Sequence, residues 1–279
     1  MKATTRPAGF AGSWYPGTAG AINRELDAYL AAAEPARVPG RLVALVSPHA
    51  GLRYSGPVAA HGYRLLRDRG PATVVLVGPS HRVAFEGVAL HGSGAWETPL
   101  GRAEVDADVA AAIAAAAPAL VIDDPAVHRE EHSLEMQLPF LQRVWPSFRI
   151  VPLMMGSQSR QEVEGLAGAL SAALRGRDVL LVASSDLSHY EPAAVANRLD
   201  AVVVELLERF DEAALLARLE SHANVACGGG PIVAVMRAAR ALGADRARVL
   251  KYGDSGDVEA RDKSHVVGYL SAAMTAGEP

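Results

Sequence analysis

The stretch that decides the fold is RLVALVSPHAGLRYSG, residues 41–56. Its apolar run, residues 42–46, is short and bounded by Pro and Gly, which is typical of a strand buried in a sheet. Pro48 cannot donate to a sheet ladder, so the strand should end before it. His49 then follows the carboxyl end of a central strand, where open α/β sheets bind their ligands. We therefore expect His49 to lie in a functional site.

Two more apolar strands run into polar loops that carry a histidine. ATVVLV at residues 72–77 is followed by Gly-Pro-Ser-His81, and DVLLVA at residues 178–183 is followed by Ser-Ser-Asp186-Leu-Ser-His189. If these strands are parallel to the first, their loops meet at the same edge of the sheet. Asp186 and His189 suit an acid/base pair in which the carboxylate orients the imidazole.

The rest of the chain alternates between helical and extended patterns. We predict helices over residues 18–33, 56–69, 104–117, 161–174, 192–209, 211–220 and 232–242, strands over 87–91, 120–122, 149–155, 249–253 and 265–270, and loops over 92–99 and 254–262. We find no internal repeat and no linker. The alternation predicts an α/β fold, and a single domain over residues 1–279 is the simplest organisation.

Composition and charge exclude several classes of protein. The formal net charge of -4 gives no electrostatic case for binding nucleic acid or an anionic membrane. The amino-terminal residues lack the apolar core of a signal peptide, and the alanine-rich residues 109–117 are too few to cross a bilayer. The single cysteine, Cys227, excludes an intrachain disulfide and a cysteine-only metal site. We expect a cytoplasmic protein without nucleic-acid or membrane partners.

A histidine-rich segment contains the pattern H-x-x-E-H. Its members are His128, Glu131 and His132, and on a helix they would form the signature of a zinc peptidase. Helical apolar spacing starts only at residue 134, so the two histidines fall at a loop–helix boundary. Two other interpretations stand beside the peptidase: a charged loop before a helix capped by Ser133, or Glu131, His132 and Glu135 lining a metal pocket.

Cys227 precedes a run of three glycines at the start of a predicted helix. Unpaired backbone N–H groups there should lower the pKa of the thiol and favour the thiolate, which serves as a nucleophile or a metal ligand. A buried, inert cysteine is the alternative. The glycines could also cradle a phosphate, but no P-loop lysine follows them.

Two aromatic residues, Trp14 and Tyr15, lie between a glycine and a proline near the amino terminus. Exposed aromatic pairs are uncommon, so these side chains either pin the amino-terminal arm to the body or wall a pocket.

Together the polar loops predict a metal site. His49, His81 and Cys227 supply two imidazoles and a thiol, with Asp186 and two further histidines, His132 and His189, expected nearby. Three protein ligands with an open position are typical of a catalytic rather than a structural metal site. These ligand types suit Fe(II), copper or zinc, and do not choose among them.

These motifs resemble those of the Memo family, whose prokaryotic members are named protein B of the AmmeMemoRadiSam system. The matching segments, in order along nearly the whole chain, are GSWYP at residues 12–16, PHAG at 48–51 with YSG at 54–56, GPSH at 78–81, EHSLE at 131–135, SDLSHY at 185–190 and ACG at 226–228.

The resemblance implies a fold similar to class III extradiol dioxygenases: one three-layer αβα domain around a mostly parallel or mixed sheet. It implies iron or copper on His49, His81 and Cys227, with Fe(II) the first expectation, copper the second and zinc the third. His189 matches the dioxygenases' acid/base histidine. With it, Asp186 and His132 are the candidate catalytic residues, and Trp14, Tyr54, Glu131 and Glu135 are the candidate lining residues.

The function that the resemblance implies is a redox or oxygenase-like one, on a small-molecule or peptide ligand, with a functional link to AMMECR-type and radical SAM proteins. Extradiol dioxygenases bind iron through two histidines and a carboxylate, whereas this chain has Cys227 at the third position. Because a thiolate is softer and more easily oxidised, ring cleavage does not carry over. A non-catalytic binding module and a zinc hydrolase are the alternatives.

Overall fold

The computed structural model describes residues 4–34, 36–70, 73–222, 225–259 and 263–277. Its strands are β1 (Thr4–Arg6), β2 (Arg41–Ser47), β3 (Thr73–Pro79), β4 (Val88–Leu90), β5 (Gly94–Thr98), β6 (Gly101–Val105), β7 (Val121–Asp123), β8 (Arg149–Met155), β9 (Val179–Ser184), β10 (His189–Glu191), β11 (Arg246–Asp254) and β12 (Val266–Ala276). Its α-helices are α1 (Ala19–Ala32), α2 (Leu52–Arg64), α3 (Ala107–Ala116), α4 (Leu138–Val144), α5 (Arg160–Ala173), α6 (Ala193–Glu208), α7 (Glu212–Ser221), α8 (Gly229–Ala241) and α9 (Gly256–Glu259).

The described strands form one mixed sheet in the order β1-β5-β6-β8-β3-β9-β2-β12-β10, with β11 paired to β12, β4 paired to β8, and β7 paired to β4. At its centre β8, β3, β9 and β2 run parallel, so their carboxyl ends meet at one edge. The expected polar loops at residues 49, 81 and 186 follow three of these four ends. β9 lies between β2 and β3.

The central strands are buried on both faces, which explains their uninterrupted apolar sequences. Along β3, Val75 and Val77 pack with α3, α5, α6, α7 and α8, while Val74 and Leu76 pack on the other face with α1, α2 and α4. The arrangement is the expected three-layer αβα fold. The prediction of a single domain stays a prediction. No described helix has the length and hydropathy of a membrane span.

Several predicted boundaries are wrong. The predicted loop 92–99 contains β5, and the predicted helix 104–117 begins only at residue 107 because β6 precedes it. These two strands form a hairpin at the border of the sheet with mixed polar and apolar residues, so a buried-strand pattern does not reveal them. Helix α2 begins at Leu52 rather than at residue 56. Pro57 therefore lies within the helix and not in its first turn, where proline is most common.

An ion pair fixes the amino-terminal arm. The buried Arg6 guanidinium pairs with the fully buried Glu135 carboxylate. That carboxylate also accepts hydrogen bonds from Gly9 N (3.1 Å), Phe10 N (2.9 Å) and the Tyr15 hydroxyl (2.7 Å). A buried carboxylate is stable only when it is paired and hydrogen-bonded in this way. Glu135 therefore lies against the arm, and Tyr15 pins that arm to the body.

The arm is tied to the H-x-x-E-H segment by the other nitrogens of Arg6. Nε donates to the His128 carbonyl and Nη2 to the Glu131 carbonyl, each at 2.7 Å. The guanidinium also lies over the ring of Trp96, 4.3 Å from its centroid. Arg6 is therefore the point at which the arm, the segment and β5 meet.

We predict that Glu135→Ala strongly destabilises the fold, because it leaves the Arg6 charge buried and unpaired. The expected loss in the free energy of unfolding is about 3–5 kcal/mol, measured by urea denaturation. Tyr15→Phe, which removes one bond to the same carboxylate, should cost only about 1 kcal/mol. An E135A variant no less stable than Y15F would contradict this role.

Candidate metal centre

Three of the predicted ligands converge at the carboxyl edge of the sheet. His49 follows β2, His81 follows β3, and Cys227 lies just before α8. One ligand atom from each lies within 4.8 Å of the others. The Cys227 Sγ is 3.2 Å from His49 Nε2. His49 is almost fully buried, whereas the His81 side chain is 29% accessible. The cluster thus has a buried wall and an open side.

The protonation of His49 follows from its hydrogen bonds. The Ser184 hydroxyl has one proton, and it donates to the Ser133 carbonyl at 2.7 Å. The same oxygen accepts from Gln137 Nε2 (2.8 Å), so at 2.8 Å from His49 Nδ1 it acts as an acceptor again. The proton of the neutral imidazole is therefore on Nδ1. The Nε2 lone pair points to the cluster, which is the tautomer that a metal ligand needs.

Gln137 fixes the orientation of Ser184. Its amide oxygen accepts from the Tyr63 hydroxyl at 2.7 Å, and its amide nitrogen donates to Pro48 O (3.1 Å) as well as to Ser184. Because all of these atoms are buried, each bond is shielded from competition by water. Tyr63 and Gln137 were not predicted as site residues, since neither stands in a polar loop after a strand.

Glu131 fixes the second imidazole in the same way. Its Oε1 accepts from His81 Nδ1 at 2.9 Å, which leaves the Nε2 lone pair of His81 free. The carboxylate also accepts from the backbone N–H groups of His81 (2.6 Å), His132 and Ser133 (2.9 Å each). Burial opposes ionisation, but the hydrogen bonds from the His81 ring and from the His81 and Ser133 backbone N–H groups lower the pKa of Glu131 to about 2. A permanent carboxylate thus supports a metal ligand.

The thiol of Cys227 contradicts one prediction. Burial, together with the negative charge of Asp186, raises the pKa of Cys227 rather than lowering it. Hydrogen bonding by the Asp186 and Gly228 N–H groups acts in the opposite direction but does not offset burial and the Asp186 charge; Gly228 N also donates to Ser185 Oγ, and Gly229 N to the Ala226 carbonyl. Without a metal, the S–H group lies against His49 Nε2. A bound cation would have to displace that proton, which is the usual behaviour of thiol ligands.

An aromatic stack forms one wall of the cluster. The ring of His132 lies between Trp14, at a centroid distance of 4.1 Å, and His81, at 4.7 Å. Phe10 approaches the same ring edge-on at 5.7 Å. Burial and the neighbouring His81 lower the pKa of His132 to about 4, although the Glu131 carboxylate opposes this. The stack joins the amino-terminal arm to a candidate metal ligand, and places Trp14 at the pocket.

A second group of potential ligands, His81, Glu131 and His132, is also compact. In this group, however, the short contact from His81 Nδ1 to Glu131 is a hydrogen bond, and the carboxylate already accepts from four N–H groups. It therefore has the features of a support for the first group rather than those of a separate cation site.

Asp186 and His189 do not form the predicted hydrogen-bonded pair. Asp186 Oδ1 accepts from His49 N at 2.8 Å and Ala50 N at 3.3 Å, while His189 Nδ1 donates to the Leu187 carbonyl at 2.8 Å. Asp186 thus holds the loop after β2. Its other oxygen is 4.0 Å from His49 Nε2, and burial raises its pKa. The expectation failed because a three-residue spacing does not fix side-chain direction once the strand has ended.

The loop that carries His189 is anchored by a buried carboxylate that was not predicted. Asp200, on α6, accepts from Ser188 N at 3.0 Å and from the Tyr252 hydroxyl at 2.8 Å. The Leu187 carbonyl fixes the His189 proton on Nδ1, so Nε2 is the nitrogen free to exchange a proton.

The peptidase interpretation lacks its structural condition. Residues 125–134 form turns and not a helix, so His128 and His132 do not share a helical face. His128 is buried beside Trp96, and its Nε2 bonds to the Ala89 carbonyl at 3.1 Å. Ser133 does not cap a helix either, because its hydroxyl donates to Pro79 O at 2.9 Å.

The two remaining predicted lining residues take different places. Tyr54 is half-buried in the first turn of α2, beside the loop that carries His49. Glu135 does not join the ligand cluster, because both its oxygens are bonded within the arm.

Comparison with known proteins identifies the family and supports the fold. A family model described as Memo-like protein matches residues 6–273. The chain belongs to the Memo family. A MEMO1 family protein of Methanopyrus kandleri is 40% identical over 247 residues, 87% of this chain and 85% of its own length. A MEMO1 family protein of Methanothermobacter thermautotrophicus is 37% identical, over 95% of this chain and 98% of its own.

A solved structure shows the same fold at low sequence identity. An uncharacterized protein from Escherichia coli K12 superposes with a TM-score of 0.54 and 17% identity, covering 84% of this chain and 99% of its own. At this identity the likeness concerns the fold alone.

We predict that Ser184→Ala weakens metal binding about 10–100-fold, because it removes the acceptor that holds the His49 proton on Nδ1. The measurement is a competition titration with Fe(II) under anaerobic conditions. Ser271→Ala is the matched control, since Ser271 is equally buried and its hydroxyl has no hydrogen-bond partner among the described residues. Equal affinities for S184A and S271A would show that the tautomer does not matter.

Proposed function

We propose that this Memo family protein is a metal-dependent redox or oxygenase-like protein that binds a small-molecule or peptide ligand beside the metal. The observation that carries the proposal is the convergence of two imidazoles with a thiol, both imidazoles held with their Nε2 lone pairs free. Any buried histidine needs a hydrogen-bond partner, but at both His49 and His81 the partner takes Nδ1 and leaves Nε2 for a metal.

The donors fit a transition metal. His49 and His81 would supply neutral nitrogens and Cys227 a sulfur, and three protein ligands leave positions open for a substrate. This set suits Fe(II), copper or zinc, and the family resemblance puts Fe(II) first, copper second and zinc third. A bound iron or copper ion would supply one-electron chemistry, which the side chains of the site alone do not.

The proposed roles of the other residues concern protons and access. His189 Nε2 is free to take or give a proton, because Nδ1 is committed to the Leu187 carbonyl. His132, neutral at pH 7, would present an uncharged ring to the ligand between Trp14 and His81. The open side at His81 is where a ligand would enter.

A binding module is the second candidate function. It is favoured by the thiol at the third ligand position and by Asp186, whose Oδ1 is committed to backbone N–H groups rather than to proton transfer. Ligand binding that survives metal removal, without oxygen consumption, would support it. The link to AMMECR-type and radical SAM proteins stays a prediction from the resemblance, and the cytoplasmic location stays a prediction from composition.

We predict that protein purified anaerobically holds about one iron or copper ion per chain, as expected for a site with three protein ligands. His49→Ala and Cys227→Ser should each lose most of it, as measured by plasma mass spectrometry after gel filtration. His61→Ala is the control, because that histidine lies on α2 and bonds to the Pro57 carbonyl.

An undiminished metal content in both H49A and C227S would contradict the proposal. His128→Ala is a further arm: a loss of bound zinc in H128A alone, with H49A unaffected, would revive the zinc-hydrolase alternative.

A further inference from the structure

The fourth parallel strand of the central sheet also delivers a polar residue to the site. β8 ends at Met155, and the loop after it carries Gln158, immediately before the Ser159 cap of α5. Because β8 lies next to β3, this loop reaches the same edge as His81. The Gln158 side chain reaches from this loop to the segment that carries Cys227.

The amide of Gln158 makes two hydrogen bonds at the start of α8. Nε2 donates to the Cys227 carbonyl at 2.8 Å, and Oε1 accepts from Gly230 N at 2.9 Å. One planar group thus binds both ends of the four-residue turn that carries the thiol. Gly230 makes the approach possible, since a Cβ there would lie 2.8 Å from the Cβ of Gln158.

The backbone of Gln158 is in an unfavourable conformation. Its φ is 54°, in the left-handed region, where a described non-glycine residue occurs at only two other positions, Tyr190 and Phe210. This conformation costs of the order of 1 kcal/mol and persists only where surrounding contacts impose it. The two amide bonds are such contacts, so the strained backbone aims the amide at the thiol segment.

The Cys227 segment is held on its other side by the loop that follows β9. Cys227 N donates to the Asp186 carbonyl at 3.2 Å, Asp186 N donates to Sγ at 3.3 Å, and Gly228 N donates to Ser185 Oγ at 2.9 Å. These bonds set the height of the sulfur above the sheet. Gln158 fixes the opposite flank, which faces a surface groove of about 650 Å³ that Arg160 and Glu220 border.

We infer that Gln158 is a positioning residue for the Cys227 ligand: its amide holds the thiol segment against β9, so that the sulfur stays within reach of a metal on His49 and His81. The inference rests on the proposed metal site. Gln158 contacts neither the metal position nor the sulfur of Cys227. It acts through its bonds to the Cys227 carbonyl and to the Gly230 N–H at the start of α8.

Two variants separate the amide from the backbone. Gln158→Gly keeps the left-handed conformation, which glycine adopts freely, and removes both bonds. Gln158→Glu keeps the acceptor for Gly230 N but sets a carboxylate against the Cys227 carbonyl. Arg160→Ala is the matched control, because Arg160 borders the same groove and pairs with two exposed glutamates, Glu220 and Glu164.

The probe is Co(II), titrated anaerobically into the metal-free protein, with two readouts. One is the affinity, and the other is the thiolate-to-cobalt charge-transfer absorption, which reports whether sulfur is bound. We expect Q158G and Q158E to bind Co(II) about 10–100-fold more weakly, with a reduced charge-transfer band per bound ion. R160A should match the parent. Co(II) should also protect Cys227 from iodoacetamide less well in Q158G and Q158E than in the parent and R160A.

The outcomes distinguish this inference from the proposed function. If the parent shows the charge-transfer band, if C227S lacks it, and if Q158G has the parent's affinity and band, the inference is overturned and the metal site stands. If the parent shows no band at all, the proposed site and the inference fall together. A lower affinity in Q158G with an unchanged band per ion and unchanged alkylation would reduce Gln158 to a general structural role, and would also overturn the inference.

Discussion

The single proton of the Ser184 hydroxyl is the constraint on which the site depends. It is donated to the Ser133 carbonyl, and this forces the same oxygen to accept from His49. The sheet provides the geometry: Ser47 and Ser184 are aligned across the parallel pair of β2 and β9, so His49 is delivered directly opposite that hydroxyl. Changing the register of that pair by one residue would turn Ser184 to the other face.

The same logic applies to the rest of the cluster. Each candidate ligand has a buried partner that decides its protonation or position: Glu131 for His81, and the Asp186 backbone with Gln158 for Cys227. The amino-terminal arm completes the pocket through Trp14, and the Arg6–Glu135 pair holds that arm in place. Stability and function are therefore coupled, since a buried charge outside the cluster determines one of its walls.

Much of this arrangement could be predicted from the sequence, because apolar strands followed by polar loops identify the carboxyl edge of a parallel sheet. That pattern located His49 and His81, while a different signal, the glycine run, located Cys227. The pattern of apolar strands missed β5, because that strand lies in a hairpin of mixed polar and apolar residues and has no uninterrupted apolar sequence. The pKa predicted for Cys227 was also wrong, because burial and the charge of Asp186 outweigh the backbone N–H groups that lower it.

Residues that orient the candidate ligands through hydrogen bonds were harder to predict. Gln137 and Tyr63 lie on elements whose patterns indicate only packing, and their polar tips meet through tertiary contacts that no spacing encodes. Gln158 left a usable signal, because it stands in a polar loop after β8 in the same way as the histidines after β2 and β3. Without a histidine or cysteine in that loop, the signal passed unnoticed.

The most direct measurement is a crystal structure of anaerobically grown crystals, with anomalous data collected at the iron, copper and zinc edges. We predict one metal ion, seen as an anomalous peak at the iron or the copper edge and bound to His49 Nε2, His81 Nε2 and Cys227 Sγ. Anomalous maps without a peak at these three atoms, or a zinc peak at His128 and His132, would contradict it.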